Sequence, residues 1–342
     1  MRIGILTGGG DCPGLNAVIR AVTRTAMVRY GDTVMGIKNG WKGLVSGDLE
    51  VLDLPRVSGI LPRGGTILGT SRTNPLKNPE LMVEIKANIK KHELEAVIAT
   101  GGDDTLSVCL GLAKDGVPAV GVPKTIDNDI NGTDYTFGFN TATQIVCEAI
   151  DRLHTTAESH HRIMVVEVMG RHTGWIAVMA GLAGGADAIL IPEVPYDIDE
   201  LCRNLGERHK SKSFSIVVIA EGARAKGQDH YTVQSDMVDE FGHVRLGGVG
   251  SVVARQIEEK TGIQTRVTML GYIQRGGTPT AYDRILGTRF GVAAVEAVHD
   301  GCFGKMVALR GEEIKLVPLE DAVHAPKKVD MEFYRMAEVF FG

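Results

Sequence analysis

The sequence has few cysteines, and they stand far apart. Its 342 residues include five cysteines, none of which forms a Cys-x-x-Cys pair. This spacing offers neither a disulfide framework nor the ligand pattern of a zinc site, so we expect a reducing, cytoplasmic environment. The chain starts with an apolar segment that predicts a strand, and we expect no signal peptide before the fold.

Two further absences narrow the class of protein. No apolar stretch reaches the roughly 18 residues that a membrane-spanning helix needs. The formal net charge of −5 at pH 7 gives no reason to expect binding to nucleic acid. We therefore expect neither a membrane nor a nucleic acid as a partner.

Glycine is abundant, with 43 residues, and it clusters where short apolar runs end. Three such runs, at residues 3–6, 96–99 and 119–122, predict buried parallel strands. The loops that follow them contain Gly-Gly-Gly-Asp, Gly-Gly-Asp-Asp-Thr and Pro-Lys-Thr-Ile-Asp-Asn-Asp. Ligands collect at the carboxyl ends of such strands, where glycine lets backbone N–H groups approach phosphate and aspartate can hold Mg²⁺. The pattern predicts a phosphoryl-transfer site that uses Mg²⁺.

Strands and helices alternate along most of the chain. This rhythm predicts an α/β fold with two doubly wound, Rossmann-like lobes and mostly parallel sheets. We expect a phosphate-donor lobe at 1–140, rejoined by part of 250–305, a second lobe at 141–250, and a C-terminal segment at 306–342 that packs on the lobes. The sequence Thr-Ala-Thr-Gln at 141–144 has the form of a capping box that opens a helix. Asp11 is interpreted as the cap of a helix beginning near Pro13.

Together the loops resemble those of the phosphofructokinase family. The resemblance also uses the segment 63–72, Met-Gly-Arg at 169–171, Glu-Gly at 221–222 and Gly-Tyr-Ile-Gln-Arg-Gly-Gly at 271–277. Lipid and NAD kinases also carry a Gly-Gly-Asp loop, but the combination, which covers about residues 1–310, is highly specific. It implies transfer of a phosphoryl group to the 1-hydroxyl of fructose 6-phosphate, which would bind in the lobe at 141–250.

The resemblance also implies roles for the residues that match its donor and catalytic loops. Asp127 would accept the proton of the attacking hydroxyl, and Asp103 would bind Mg²⁺. Arg72 would neutralise phosphoryl charge. The implied catalytic set is Asp127, Asp104, Lys124, Arg171 and Arg72. The implied donor-binding set is Gly10, Gly102, Asp103, Asp104, Thr105 and Arg72.

The matching residues of the sugar site form a larger group. Glu221 can accept hydrogen bonds from sugar hydroxyls, and arginine forks suit the 6-phosphate. In the family, the residues matching Arg162 and Arg266 come from a neighbouring subunit, which implies a homodimer or homotetramer with a shared sugar site. The implied set is Thr125, Ile126, Asp127, Arg162, Met169, Gly170, Arg171, Glu221, Arg266, Tyr272, Ile273, Gln274 and Arg275.

Two residues bear on the phosphate donor. Asp104 stands where ATP-using members usually have glycine, and Lys124 stands where bacterial members often have it. This pair resembles the pyrophosphate-dependent branch and implies a reversible reaction. A carboxylate at 104 about 4 Å from the α-phosphate of ATP would repel it by about 4 kcal/mol at an effective dielectric near 20. ATP stays the alternative donor, since some ATP-using relatives carry Lys124 and Trp41 stands where such relatives stack adenine.

Other hypotheses remain open. A kinase of lipid or NAD fits the Gly-Gly-Asp loop, although the arginines favour a phosphorylated sugar. A catalytically dead regulatory subunit is disfavoured by the presence of Asp103, Asp127 and Arg171 together. Control by ADP or phosphoenolpyruvate is expected to be weak, because His154 replaces an expected arginine. Lys327 and Lys328 are interpreted as a solvated charge pair.

Overall fold

Among the described residues, two mostly parallel sheets and a separate hairpin make up the β-structure. The computed structural model describes residues 1–228, 230–238 and 244–341. The strands are β1 (Arg2–Thr7), β2 (Thr33–Ile37), β3 (Leu49–Leu52), β4 (Ala96–Gly101), β5 (Ala119–Thr125), β6 (Phe137–Gly138), β7 (Ile163–Val168), β8 (Ala188–Leu190), β9 (Ser215–Ala220), β10 (Val233–Val238), β11 (Val244–Leu246), β12 (Thr265–Met269), β13 (Lys305–Arg310) and β14 (Glu313–Pro318).

Helices separate most of the strands. They are α1 (Leu15–Thr25), α2 (Trp41–Ser46), α3 (Pro79–Lys91), α4 (Asp103–Lys114), α5 (Phe139–His160), α6 (Trp175–Ala183), α7 (Ile198–His209), α8 (Val249–Thr261), α9 (Ala281–His299), α10 (Leu319–Val323) and α11 (Met331–Glu338). A π-helical turn (Ala26–Tyr30) extends α1, and 3₁₀ turns occupy Pro75–Lys77 and Gly271–Arg275. In the described part of the chain, no helix has the length and apolar character that crossing a membrane requires.

The first sheet has the strand order β14-β13-β5-β4-β1-β2-β3, and β6 pairs with β5 outside this path. Its central strands are parallel, and the edge strands β3 and β14 are antiparallel to their neighbours. Alternate side chains enter opposite cores. Ile3 and Ile5 of β1 belong to one hydrophobic cluster and Leu6 to another, so both faces of the sheet are covered, as buried parallel strands require.

The second sheet is smaller, with four parallel strands in the order β12-β7-β9-β8. The antiparallel hairpin β10–β11 lies between β9 and α8 in the chain. The predicted α/β fold with mostly parallel sheets is confirmed.

The division into lobes remains a proposal, and the sheets suggest a change to it. Strands β13 and β14, which we expected in a separate C-terminal segment, extend the first sheet through β5. Helix α9 packs on α1 at close range, because a Cβ added to Gly291 would lie 2.7 Å from the Cβ of Ala21. We therefore propose that residues 281–318 belong with the first lobe.

Two predicted helix caps are wrong, and distant contacts explain both. Helix α5 begins at Phe139 after Gly138, without a side-chain cap, and the hydroxyl and N–H of Thr141 instead donate to the Asp283 carboxylate at 2.5 and 2.8 Å. Helix α1 is preceded by Gly14, whose φ is 108° and which also has no side-chain cap. A Cβ at Gly14 would lie 2.7 Å from the Phe137 ring, so glycine is needed there and Asp11 is not the cap.

Candidate active site

The first two strand-end loops lie against each other. The N–H of Gly8, after β1, donates to the Thr100 carbonyl of β4 at 2.9 Å. A Cβ at Gly8 would lie only 2.6 Å from Oγ1 of Thr105, which is buried in the first turn of α4. Glycine at position 8 therefore lets the β1 loop close directly onto the N-terminus of α4, where Gly102 is the N-cap residue.

The segment that ends at Arg72 borders the same loop. Thr70 donates from Oγ1 to the Gly9 carbonyl at 2.6 Å, and the Gly9 N–H donates to the Ser71 carbonyl at 3.2 Å. Arg72 follows these two anchors and is exposed. The predicted donor-binding residues of the three segments thus come together at one edge of the first sheet.

A buried lysine reaches this loop from β5. Lys124 is 3% exposed, and its Nζ donates to the Gly10 carbonyl at 2.5 Å. Burial lowers the pKa of Lys124, and the nearby cations Arg275 and Arg171 act in the same direction. Lys124, which the sequence resemblance put in the catalytic set, therefore has its ammonium beside the donor loop.

Arg275 also contacts the donor loop, although we expected it at the sugar phosphate. Its Nη1 donates to the Asp11 carbonyl at 3.4 Å. A Cβ at Gly10 would lie 2.8 Å from the same nitrogen. The absence of a side chain at position 10 therefore leaves room for a guanidinium beside the loop, which sequence reasoning did not anticipate.

The loop after β5 presents a buried carboxylate. Asp127 is 4% exposed, and its N–H donates to Oγ1 of Thr125 at 3.0 Å. Its Oδ1 is buried and has no hydrogen-bond partner among the described residues. Buried polar atoms are usually paired, so this unpaired carboxylate oxygen is a candidate contact for a ligand. Ile126, by contrast, is fully buried in the hydrophobic core, and only its backbone could contact a substrate.

A tight turn holds the second aspartate of this loop near the first. Asn128 adopts a left-handed φ of 53°, which asparagine tolerates, and its Oδ1 accepts the Thr136 N–H at 3.1 Å. Burial raises the pKa of Asp129 to about 7, and the charges of Asp127 and Asp103 act in the same direction. The three aspartates therefore share one electrostatic environment.

Arg171 supplies the matching positive charge from the second sheet. Burial opposes the charged form of this guanidinium, but the carboxylates of Asp127, Asp103, Asp129 and Asp104 outweigh that effect and raise the pKa of Arg171. Arg171 itself has a left-handed φ of 52°, a strained conformation of the kind that clusters at functional sites. The arginine and the aspartates thus form one charged cluster between the two sheets.

Glycines and a carboxylate fix the backbone around Arg171. A Cβ at Gly222 would lie 2.0 Å from the Arg171 carbonyl, and Gly170 has a φ of 151°. Glu221 accepts the Arg171 N–H through Oε1 at 3.1 Å. Burial raises the pKa of Glu221 to about 7, with the charge of Asp127 adding to the effect. The predicted residues 170, 171 and 221 are therefore adjacent.

The segment Gly271–Arg275 contains one fully buried side chain and two exposed apolar ones. Gln274 is fully buried; its Oε1 accepts the Met169 N–H at 3.2 Å and its Nε2 donates to the Gly271 carbonyl at 3.1 Å. This pairing makes Gln274 a support for the Met169 backbone. Tyr272 and Ile273 are exposed, at 60% and 67%.

Two predicted sugar-site arginines do not join the cluster. Arg162 precedes β7 and donates from Nε to Gln264 Oε1 at 2.5 Å, whereas residues 169–171 follow the other end of that strand. Six strand residues at about 3.3 Å each separate the two ends by about 20 Å. Arg266 lies on β12 beside Met164 and is 3.6 Å from Glu258. Within one chain, neither arginine is brought to Arg171.

The family model of phosphofructokinase matches residues 2–298. The chain belongs to the phosphofructokinase family. The resemblance seen in the loop motifs is thereby confirmed, and the match covers both sheets except for the strands β13 and β14.

Several phosphofructokinase relatives are similar over their whole length. Proteins named pyrophosphate–fructose 6-phosphate 1-phosphotransferase, from Streptomyces coelicolor and Amycolatopsis methanolica, are 57% and 55% identical, with all of each chain covered. A Streptomyces coelicolor protein named ATP-dependent 6-phosphofructokinase 3 is 53% identical, with 99% of each chain covered. Relatives named for pyrophosphate and a relative named for ATP thus have similar identity to this chain.

Solved phosphofructokinases share the fold. The pyrophosphate-dependent enzyme from Nitrosospira multiformis has a TM-score of 0.84 at 22% identity, covering 96% of this chain and 86% of that one. Phosphofructokinase from Saccharomyces cerevisiae has a TM-score of 0.81 at 33% identity over 94% of this chain. This phosphofructokinase spans only 45% of the yeast chain.

A magnesium site fits the residues present, provided that the substrates complete it. Among the described residues, no group of three or more histidine, cysteine, aspartate or glutamate side chains could hold a metal ion alone. Mg²⁺ is usually bound by one or two carboxylates together with substrate phosphates and water. Asp103, in the first turn of α4 and close to Asp129 electrostatically, suits that partial role.

The interpretation of Lys327 as a solvated charge is wrong. Its Nζ donates to the Thr133 and Asp134 carbonyls at 2.9 and 2.8 Å, and its N–H donates to the Asp129 carbonyl at 2.7 Å. A Lys-Lys dipeptide near a chain end carries no local signal for such contacts. Only the path of the C-terminal segment back to the catalytic loop reveals them.

Proposed function

We propose that this phosphofructokinase transfers a phosphoryl group from pyrophosphate to the 1-hydroxyl of fructose 6-phosphate, giving fructose 1,6-bisphosphate and phosphate in a reversible reaction. The observation that carries the choice of donor is the Asp104 carboxylate at the N-terminus of α4. Its charge acts on Arg171 together with those of Asp103 and Asp127, which supports a place for it in the charged cluster of the proposed donor site. The two relatives at 55–57% identity that are named for pyrophosphate support the same reading.

Asp104 would repel a nucleotide, and Trp41 offers the nucleotide no surface for stacking. A carboxylate near the α-phosphate of ATP adds like-charge repulsion of about 1–4 kcal/mol for effective dielectrics between 80 and 20. Pyrophosphate has no third phosphate to place there. Trp41 is only 2% exposed, so its ring offers no free face on which adenine could stack.

Proton removal is assigned to Asp127. Its Oδ1 is buried and has no hydrogen-bond partner among the described residues, which suits acceptance of the proton from the sugar 1-hydroxyl. The transition state of phosphoryl transfer is loose, so the proton leaves late and the base needs no large pKa shift. Positioning of the carboxylate therefore matters more than its basicity.

We assign stabilisation of the negative charge on the transferred phosphoryl group to the cations near the donor loop. Lys124 contacts the Gly10 carbonyl from its buried position, and Arg171 faces the aspartates. Fixed positive charges in a buried site stabilise charge that develops in the transition state without reorganisation. Mg²⁺, held by Asp103 and the donor phosphates, would neutralise phosphate oxygens, with Arg72 and the α4 N-terminus as further donors.

The sugar site is proposed to lie between subunits. Met169, Arg171 and Glu221 stand at the carboxyl end of the second sheet, about 20 Å from Arg162 at its amino end. The edge strand β12 and the turn after it carry exposed apolar side chains, Met269, Tyr272 and Ile273, and such a patch is typical of a protein contact. A homodimer or homotetramer would then bring a partner's Arg162 and Arg266 to each sugar phosphate.

A cytoplasmic setting completes the proposal. All five cysteines are free thiols, which fits a reducing compartment.

The donor assignment is tested by a direct comparison. Rates with fructose 6-phosphate and Mg²⁺ are measured with pyrophosphate and with ATP at equal concentrations. We expect kcat/KM for pyrophosphate to exceed that for ATP by at least tenfold. A higher value for ATP would favour the second candidate, an ATP-dependent 6-phosphofructokinase, which the 53% identical relative represents by name.

A further inference from the structure

Residues 327–329, here called the C-terminal strap, lie against the loop that carries Asp127. The Lys327 N–H donates to the Asp129 carbonyl at 2.7 Å. The Lys327 ammonium donates to the carbonyls of Thr133 and Asp134 at 2.9 and 2.8 Å. One residue therefore fixes the start and the end of the turn that follows the proposed base.

The strap also contacts the start of α6, shortly after Arg171. The indole Nε1 of Trp175 donates to the Lys327 carbonyl at 2.9 Å, and the Lys327 ammonium lies 5.3 Å from the centre of the same ring. Glu193 Oε1 accepts the N–H groups of Gly174 and Val329, both at 3.1 Å. The strap thus joins the Asp127 loop of the first sheet to the Arg171 loop of the second.

The chemistry of Lys327 argues for a specific role. Burial lowers the pKa of Lys327 to about 8, while Asp134 and Asp129 oppose the effect. A lysine that gives up solvation to bond neutral carbonyls is uncommon, because burial of a charge is costly unless it is well hydrogen-bonded. The adjacent Lys328 is exposed and provides a comparison in the same segment.

The base itself depends on its backbone for position. Oδ1 of Asp127 has no hydrogen-bond partner among the described residues, so the loop must aim the carboxylate. A misplacement of about 1 Å can cost about 100-fold in rate. Contacts that fix the loop at Asp129 and at residues 133–134 therefore bear directly on catalysis.

We propose that Lys327 is a positioning residue, which holds the Asp127 loop and the Arg171 loop in register so that base and guanidinium face the same phosphoryl group. This inference rests on the proposed function, because it takes Asp127 as the proton acceptor. Lys327 acts through the backbone and touches no substrate.

The test uses three variants of the full chain. Lys327→Met removes the ammonium and keeps an apolar stem of similar length. Trp175→Phe removes the indole N–H that bonds the Lys327 carbonyl and replaces the indole ring beside the Lys327 ammonium with a smaller phenyl ring. Lys328→Met, at the exposed neighbour, is the matched control. For each variant, kcat and the KM values for the phosphate donor and for fructose 6-phosphate are measured well below the melting temperature. The affinity for fructose 6-phosphate is measured by calorimetry.

We expect kcat to fall about 10- to 100-fold in Lys327→Met, with both KM values and the sugar affinity within about threefold of wild type. In Trp175→Phe, kcat should fall at least about threefold, again with little change in the KM values or the sugar affinity. Lys328→Met should match wild type. An unchanged kcat in the first two variants, even with a lower melting temperature, would overturn the proposal. So would a raised KM with unchanged kcat. If Lys327→Met does not fold, Trp175→Phe decides by the same criteria.

Failure of this inference is separable from failure of the proposed function. The donor is first established with wild type, and the variants are assayed with that donor. A wild type that transfers no phosphoryl group to fructose 6-phosphate overturns the function and this inference together. An active wild type whose Lys327 and Trp175 variants are unaffected overturns this inference alone.

Discussion

Replacement of Asp104 should open the enzyme to ATP. Asp104 is the second residue of α4 and is half-buried, so its charge is screened in part by solvent. At about 4 Å from a phosphate, the repulsion is about 1 kcal/mol in a water-like dielectric and about 4 kcal/mol at a dielectric of 20. Because each 1.4 kcal/mol is a factor of ten, we expect Asp104→Gly to raise kcat/KM for ATP between about 5- and 1000-fold.

A matched substitution separates charge from volume. Asp104→Asn keeps the size of the side chain and removes its charge, so it should recover most of the gain if repulsion dominates. If only Asp104→Gly gains activity, the volume of the side chain is the barrier. The assay is steady-state kinetics with ATP and with pyrophosphate for both variants. Unchanged ATP kinetics in both variants would refute the reasoning, since neither charge nor size at position 104 would then limit nucleotide use.

Three further predictions test other parts of the site. Asp127→Ala should lower kcat by about 10²–10⁴-fold while calorimetry still detects fructose 6-phosphate binding, and a loss below tenfold would contradict its role as base. The raised pKa of Glu221, about 7 against an ordinary 4.5, means that the folded state favours its protonated form. The stability that this supplies is present at low pH and is lost as pH rises from about 4.5 to 7. Glu221→Gln should therefore gain stability relative to wild type between pH 5 and pH 8 in chemical denaturation, and a pH-independent difference would contradict this. Asp283→Ala leaves two Thr141 donors unpaired and should lower the free energy of unfolding by about 2–5 kcal/mol, whereas a change below 1 kcal/mol would show that the pair matters little.

The buried central strands of both sheets could be predicted from the sequence because such strands are nearly continuous apolar runs. The edge strands β3 and β14 carry more exposed side chains and were not predicted. The run in β9 ends at Ala220, where a glycine-containing turn begins. The loops at the ends of β1, β4 and β5 follow from the same logic, since parallel strands place their carboxyl ends at one edge. A local sequence pattern is sufficient to predict the structure wherever a residue's environment is set by its immediate neighbours in the chain.

Long-range contacts account for what the sequence did not reveal. The acceptor for Thr141 lies at Asp283, 142 positions along the chain, so the local capping-box pattern predicted the wrong partner. Arg275 meets the donor loop at Asp11, and Lys327 reaches back to Asp129. None of these pairs has a signature in the sequence around either residue, because each depends on how the finished sheets bring distant segments together.

The central claim is that a carboxylate beside the donor loop makes this phosphofructokinase use pyrophosphate. The most direct measurement is kcat/KM for pyrophosphate and for ATP, with saturating fructose 6-phosphate and Mg²⁺, in wild type. The account predicts a preference for pyrophosphate of at least tenfold. An enzyme that ignores pyrophosphate, or that turns over ATP with equal efficiency, would contradict it.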